Sequence, residues 1–159
     1  MPASAQAFIA WLNQTWWGLP GATELFPLIQ YRYTPEEALL LTGLPFSGKS
    51  LEELATLKGM DPSALDQRLE GLARKGLVYR TASREGVRYS LNDSFFVFLR
   101  SSFWAGKKDE VSRTLAPLVN QYYHHGFFDQ YRGVQTRGLR TVPIGKTIED
   151  PRRILPYED

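Results

Sequence analysis

Between Thr34 and Leu91 the sequence carries three helix starts in succession, followed by a run of alternating residues, and no other stretch limits the fold as tightly. Thr34-Pro35-Glu36-Glu37 puts threonine at an N-cap, proline at the first helical position and glutamate at N3. There the proline's missing N–H costs nothing, and the N3 carboxylate reaches back to the N–H of the cap. The helix it opens carries Ala38, Leu39, Leu40 and Leu41 and stops at Gly43 or Pro45. Ser50-Leu51-Glu52-Glu53 repeats the capping box for a short helix ending near Gly59. Asp61-Pro62 opens a third helix, whose Leu65, Leu69 and Leu72 recur at i, i+4, i+7 as one apolar stripe. Lys75-Gly76 closes it, with a cation beside the last carbonyls and a glycine free to turn left-handed.

Leu77 to Arg80 then reads as a strand and Ser83-Arg84-Glu85-Gly86 as a turn. Val87, Tyr89 and Leu91 alternate with Arg88 and Ser90 as a second strand. Helix, short helix, helix and hairpin, with a tight elbow from Gly59 to Pro62, is the order of a winged helix-turn-helix. The expected fold class is therefore mostly α with a small β-hairpin. The winged helix-turn-helix occupies 34–91, between an N-terminal helical, aromatic segment at 1–33 and an aromatic-rich helical extension at 92–131. An extended arm or linker follows at 132–159.

In the first segment Phe8, Ile9, Trp11 and Leu12 fall on helical spacing between Ala5 and Asn13, and Trp16 to Gly21 reads as an apolar loop. In the extension, Asn92 or Asp93 is placed to cap a helix through Phe95, Phe96, Phe98, Leu99, Phe103 and Trp104. A second helix, Asp109 to Tyr123, contains Pro117, which should kink or divide it. Beyond Arg132, glycine and proline recur without a period.

At 159 residues and 43% hydrophobic, the chain has enough apolar surface to fill a core, which excludes global disorder. It has no cysteine, so these residues hold no disulfide, thiolate zinc site or iron–sulfur cluster. Nineteen basic against seventeen acidic side chains give +2, too mild a charge to imply nucleic acid or an anionic membrane by itself. No stretch approaches the ~20 apolar residues that span a bilayer. Met1 to Leu12 lacks the basic and apolar regions of a secretory signal. A cytoplasmic location and no membrane partner are the expectations.

Gly43-Leu44-Pro45-Phe46-Ser47-Gly48-Lys49-Ser50 matches the phosphate-cradling pattern G-x-x-x-x-G-K-[ST]. A working P-loop follows a strand and needs a Walker-B aspartate, and Pro45 removes one of the N–H donors such a loop uses. A flexible loop with Ser50 as N-cap explains the string better, so nucleotide binding is a remote alternative. The third helix is the candidate DNA reader. Ser63, Asp66, Gln67, Glu70 and Arg74 face away from its leucine stripe, and the hairpin adds Arg84 and Arg88. Ser63, Gln67, Arg74, Arg84 and Arg88 are the candidate DNA or partner contacts. The two carboxylates would repel phosphates, so DNA binding is weakly supported.

Adjacent His124 and His125 point about 100° apart on a helix and suit its C-terminal end better than a metal. Glu36-Glu37 and Glu52-Glu53 are first-turn acids with the same electrostatic reason. No catalytic, cofactor or metal residues can be assembled, and the chain is expected not to be an enzyme. The aromatic residues are too many for one helix face. Trp11, Trp16, Trp17, Phe96, Trp104 and Phe128 are the candidate interface with another chain or domain, a homodimer among them.

Tyr33-Thr34-Pro35-Glu36-Glu37-Ala38, the Ser50 to Tyr79 helix-turn-helix and Arg140-Thr141-Val142-Pro143-Ile144 together carry a resemblance. So does Ile154-Leu155-Pro156-Tyr157-Glu158 at the end of the chain. The chain resembles a family of bacterial and archaeal ferredoxin-type proteins. In these a helical, winged-helix region precedes a domain with two four-cysteine motifs for 4Fe-4S clusters. The resemblance covers most of the chain but not the cluster-binding half, and no ligand position carries over. It implies a non-catalytic interaction or regulatory module of an electron-transfer protein, with the clusters in a further C-terminal domain. The implied partners are that domain or a redox protein. A winged-helix transcriptional regulator is the alternative.

Overall fold

The computed structural model describes residues 1–15, 18–84, 86–92, 101–103 and 106–132. In chain order these form α1 (Ala3–Leu12), α2 (Leu25–Arg32), α3 (Pro35–Leu41), β1 (Lys49–Ser50), α4 (Leu51–Lys58), α5 (Pro62–Arg74), β2 (Val78–Ser83) and β3 (Gly86–Leu91). Then come α6 (Ser101–Phe103), α7 (Glu110–Tyr122), one π-helical turn (Tyr123–Phe127) and α8 (Phe128–Arg132). The described chain is mostly helical, with one small three-stranded antiparallel sheet.

The three helix starts expected between Thr34 and Pro62 are present. Thr34 Oγ1 accepts from Glu37 N at 3.2 Å while Thr34 N donates to Glu37 Oε2 at 3.0 Å. Ser50 and Glu53 close the same reciprocal pair at 2.8 and 3.3 Å, and Asp61 Oδ1 accepts from Ala64 N at 3.0 Å. The stop of α5 is equally local. Gly76, at φ +72°, lets its N–H reach Ala73 O while Leu77 N reaches Leu72 O at 2.9 Å, so two otherwise orphaned carbonyls of α5 are satisfied. Lys58 closes α3 from a distance: its ammonium donates to Thr42 O, and burial pulls its pKa below the ordinary lysine value.

The hairpin is longer than its alternation implied. β2 runs to Ser83, and pairs from Val78↔Leu91 to Ser83↔Gly86 lock the two strands. A third strand was not expected. Lys49↔Tyr89 and Ser50↔Arg88 add β1 to the free edge of β3, giving the order β1-β3-β2. Two residues are too few to show alternation, and Ser50 serves both as the last residue of β1 and as the N-cap of α4.

Segments set apart in sequence share one core, a continuous buried cluster from Ala5 to Phe127. The α5 stripe, Leu65, Leu69 and Leu72, is buried in it together with Leu54, Leu77 and Tyr89. α1 lies on α3, and α2 lies against α7. Helix α2 had no cap to announce it: Glu24 makes no side-chain cap hydrogen bond. Its Pro27 sits in the first turn, where an N–H has no helical partner, and Leu25, Leu28 and Ile29 are drawn into the core. In α7, Asp109 caps Ser112 N at 2.8 Å, and the helix runs through Pro117 undivided. Pro117 and Arg113, four residues before it, are both exposed, so water can serve the freed carbonyl. The irregularity falls later, in the π turn, where Gly126 passes against Ala22. Tyr122 OH, buried, donates to Pro20 O at 2.9 Å and ties α7 to the N-terminal segment.

Trp16, Trp17, Phe96 and Trp104 lie outside the described residues, as do the helix expected through Phe95 to Leu99 and the arm beyond Arg132.

Candidate functional site

Helix α5 and the β2–β3 hairpin present most of the side chains singled out for contact. Ser63 and Gln67 are exposed on α5, and Arg68, which the leucine stripe alone does not single out, is exposed beside them. Arg84 is exposed at the hairpin end. Arg88 is half-buried and its guanidinium donates to Gly48 O at 3.4 Å. Asp66 does not join the exposed set. Its carboxylate accepts from Tyr89 OH at 2.8 Å, so the tyrosine bridges α5 to β3. The ring of Tyr89 is sealed in the core, and burial first, then the Asp66 carboxylate, push its hydroxyl above the ordinary tyrosine pKa, with Arg80 opposing. Glu70 holds Arg74 at 3.3 Å. One of the two carboxylates expected to repel phosphate is thus turned inward and the other is paired.

The Tyr89–Asp66 bridge gives a pH signature. A tyrosine raised in the folded state adds stability below its unfolded pKa of about 10 and loses it as the pH climbs through the folded value. Tyr89→Phe should therefore cost about 1 kcal/mol at pH 8 in urea unfolding, with the deficit shrinking at pH 11. An equal deficit at both pH values would show that the hydroxyl does not titrate with folding.

Arg74 stands apart from Ser63: the two are eleven positions apart on the helix, about 16 Å along the axis. It lies at the other end of α5, beside a groove of about 530 Å³ formed with α2, the turn after α5 and the start of α7. Arg32, Arg74, Lys75 and Lys107 line it, with Asp109 as its one acid among the described residues. Arg32 is fixed by donating to Lys75 O at 2.9 Å, and burial lowers its pKa from the ordinary arginine value. Lys75 also pairs with Glu37, and Glu37 and Glu70 both lie outside the groove lining. Tyr31 and Val111, 40% and 51% exposed, add apolar surface to the groove. No signal in the sequence joins residues 31–32, 74–75 and 107–111; only the packing of α2 against α7 does.

No protein family, curated protein or solved structure matches this chain. Its chemistry is therefore read from its own side chains. Among the described residues there is no group of three or more His, Cys, Asp or Glu placed to hold a metal ion, and no helix is long and apolar enough to cross a membrane.

The Gly43 to Ser50 string does not form a strand–loop–helix phosphate cradle. Helix α3 precedes it, Pro45 O accepts from Leu91 N at 2.8 Å, and Lys49 Nζ is held by Glu53 at 3.0 Å. The first-turn acids have local partners. Hydrogen bonds from backbone N–H groups hold Glu36, Glu52 and Glu53 below the ordinary glutamate range. His124 and His125 are not at a helix end, because the π turn carries the helix on into α8. They stand exposed, with His124 edge-on to Tyr123 at 5.4 Å. Trp11 is engaged within its own chain: its indole N–H donates to Leu44 O at 2.9 Å and its ring stacks on Phe46 at 5.8 Å. Phe128 is 42% exposed beside Tyr123 and His124.

Proposed function

We propose that residues 34–91 are a winged helix-turn-helix serving as a non-catalytic interaction and regulatory module of a ferredoxin-type electron-transfer protein in the cytoplasm. The observation that carries the winged-helix reading is the connectivity α3–β1–α4–α5–β2–β3, with β1 paired to β3 so that the sheet order is β1-β3-β2. In that arrangement β1 anchors the start of α4, and α5 packs back on the hairpin through Tyr89 and Asp66. The interaction role is supported by exposed large apolar side chains, Leu39, Leu57 and Tyr79, on three of these elements. The exposed Phe128 supports a homodimer, for which light scattering of the purified chain is the check; a clean monomer at micromolar concentration removes it.

The iron–sulfur part of the reading is tested in the gene. The reading frame should continue past Asp159 into two cysteine-rich runs of the C-x-x-C kind, and a stop codon directly after Asp159 overturns that part. A DNA-binding regulator is the second reading, favoured by the inward turn of Asp66, which leaves Ser63, Gln67 and Arg68 on the exposed face. It requires a mixed-sequence duplex to bind at low salt, with a log–log salt slope that falls by about 2 when Arg84 and Arg88 are both changed to alanine. No binding at low salt ends it.

A further inference from the structure

We infer that the groove at the C-terminal end of α5 is a docking site for an acidic, partly apolar peptide segment of a protein partner. The inference rests on the reading of the chain as an interaction module and names the chemistry of what it would hold.

Arg32 comes from α2, Arg74 and Lys75 from the end of α5, and Lys107 from the stretch before α7, so three separate parts of the chain converge four cations on one concavity. Among the described lining residues Asp109 is the one acid, and one of its oxygens is already committed to Ser112 N at the cap of α7. The carboxylates that pair with Arg74 and Lys75 lie outside the lining, on Glu70 and Glu37. The Arg74–Glu70 pair is exposed on both sides, and pairs of that kind are worth only about 0–1 kcal/mol, so an incoming carboxylate can exchange with Glu70. Arg32 is not free to swing away: Lys75 O holds one nitrogen, and its Nε is buried without an acceptor among the described residues.

Shape and polarity separate a peptide from a nucleic acid. The space, about 530 Å³, lies within the ~300–1,000 Å³ range of sites that enclose a small ligand or a few residues of chain. A duplex presents its phosphates on a convex surface and is met by cations that protrude. Here the cations line a concavity that also contains a carboxylate and the exposed Tyr31 and Val111. A carboxylate-bearing segment with an apolar residue beside it satisfies both kinds of lining at once. The position agrees with this division, since Ser63 and Gln67 lie toward the other end of α5.

The test uses the full chain and a fluorescein-labelled peptide of alternating glutamate and leucine, followed by anisotropy at low and at physiological ionic strength. A peptide of alternating lysine and leucine is the control, and a mixed-sequence duplex is the competitor. The glutamate peptide should bind and the lysine peptide should not. Reversing two exposed charges together, Arg74→Glu and Lys107→Glu, should weaken binding about tenfold or more, while the loss of the Glu70 pair lowers Tm by no more than about 4 °C. Tyr31→Ser alone should weaken it several-fold at the higher ionic strength, where the charges are screened. Equal binding by the charge-reversed chain overturns the assignment, as does displacement of the peptide by the duplex through these same residues. If neither peptide nor duplex binds, the groove assignment falls and the interaction reading stands. If the peptide fails while the duplex binds in a manner dependent on Arg84 and Arg88, both fall.

Discussion

Gly126→Ala should destabilise the chain by about 2–3 kcal/mol, the upper part of the range for forcing extra volume into a packed interior. Gly126 is buried in the π turn, and a Cβ built there would lie 2.8 Å from the Ala22 Cβ and 2.8 Å from Tyr122 Cε2. Neither neighbour is the tip of a flexible side chain. Ala22 Cβ is bonded directly to the backbone, and the Tyr122 ring is held in place by its hydroxyl on Pro20 O. Relief therefore requires the π turn to move away from Ala22 and the Tyr122 ring to turn, at the expense of that buried hydrogen bond. For a chain of this size each kcal/mol lowers Tm by about 2–4 °C. Pairing the change with Ala22→Gly removes one of the two clashes, and the double variant should recover about 1 kcal/mol as a coupling energy. A Gly126→Ala chain that melts within about 1 °C of the parent would mean that the two segments do not approach as described.

The second large effect separates two leucines that look alike in sequence. Leu41→Ala should cost about 3 kcal/mol, the cost of a cavity at a site that cannot collapse, because Leu41 is fully buried in the core on a helix that lies against α1. Leu39→Ala, two residues away on the same helix, should change stability by less than about 0.5 kcal/mol, since Leu39 is 68% exposed. Urea unfolding of both variants, read by the shift in midpoint at constant slope, is the measurement. Similar losses at the two positions would mean that α3 is rotated about its axis or that Leu39 is covered by another chain in solution. A concentration series distinguishes these, because only the second depends on protein concentration.

The parts of the fold legible in the sequence are those closed by short-range chemistry. A capping box joins residues three apart, and the glycine-terminated stop of α5 joins residues no more than five apart, so Thr34, Ser50, Asp61 and Gly76 announce themselves. The α5 stripe is legible for a related reason: three leucines at helical spacing have only one way to be buried together. Elements without such a local device are not legible in the sequence. Helix α2 forms because the core covers Leu28 and Ile29, not because of its cap. Strand β1 exists only because β3 offers it an edge. Pro117 is tolerated on an exposed face, and the π turn answers to the close pass of Gly126 against Ala22, a neighbour more than a hundred residues away in sequence.

The candidate site divides along the same line. By itself the sequence determined that α5 is an amphipathic helix between a tight elbow and a hairpin, and that Ser63, Gln67, Arg74, Arg84 and Arg88 lie off its buried stripe or on that hairpin. Those conclusions rest on caps and periodicity, which act within one or two helical turns. Only the tertiary structure decided that Asp66 turns inward to Tyr89, that Arg74 leaves the company of Ser63, and that Arg32, Lys75 and Lys107 gather around it. Charge and apolar surface from distant parts of the chain meet where helices pack, and that meeting is set by the shape of the shared core rather than by any run of neighbouring residues.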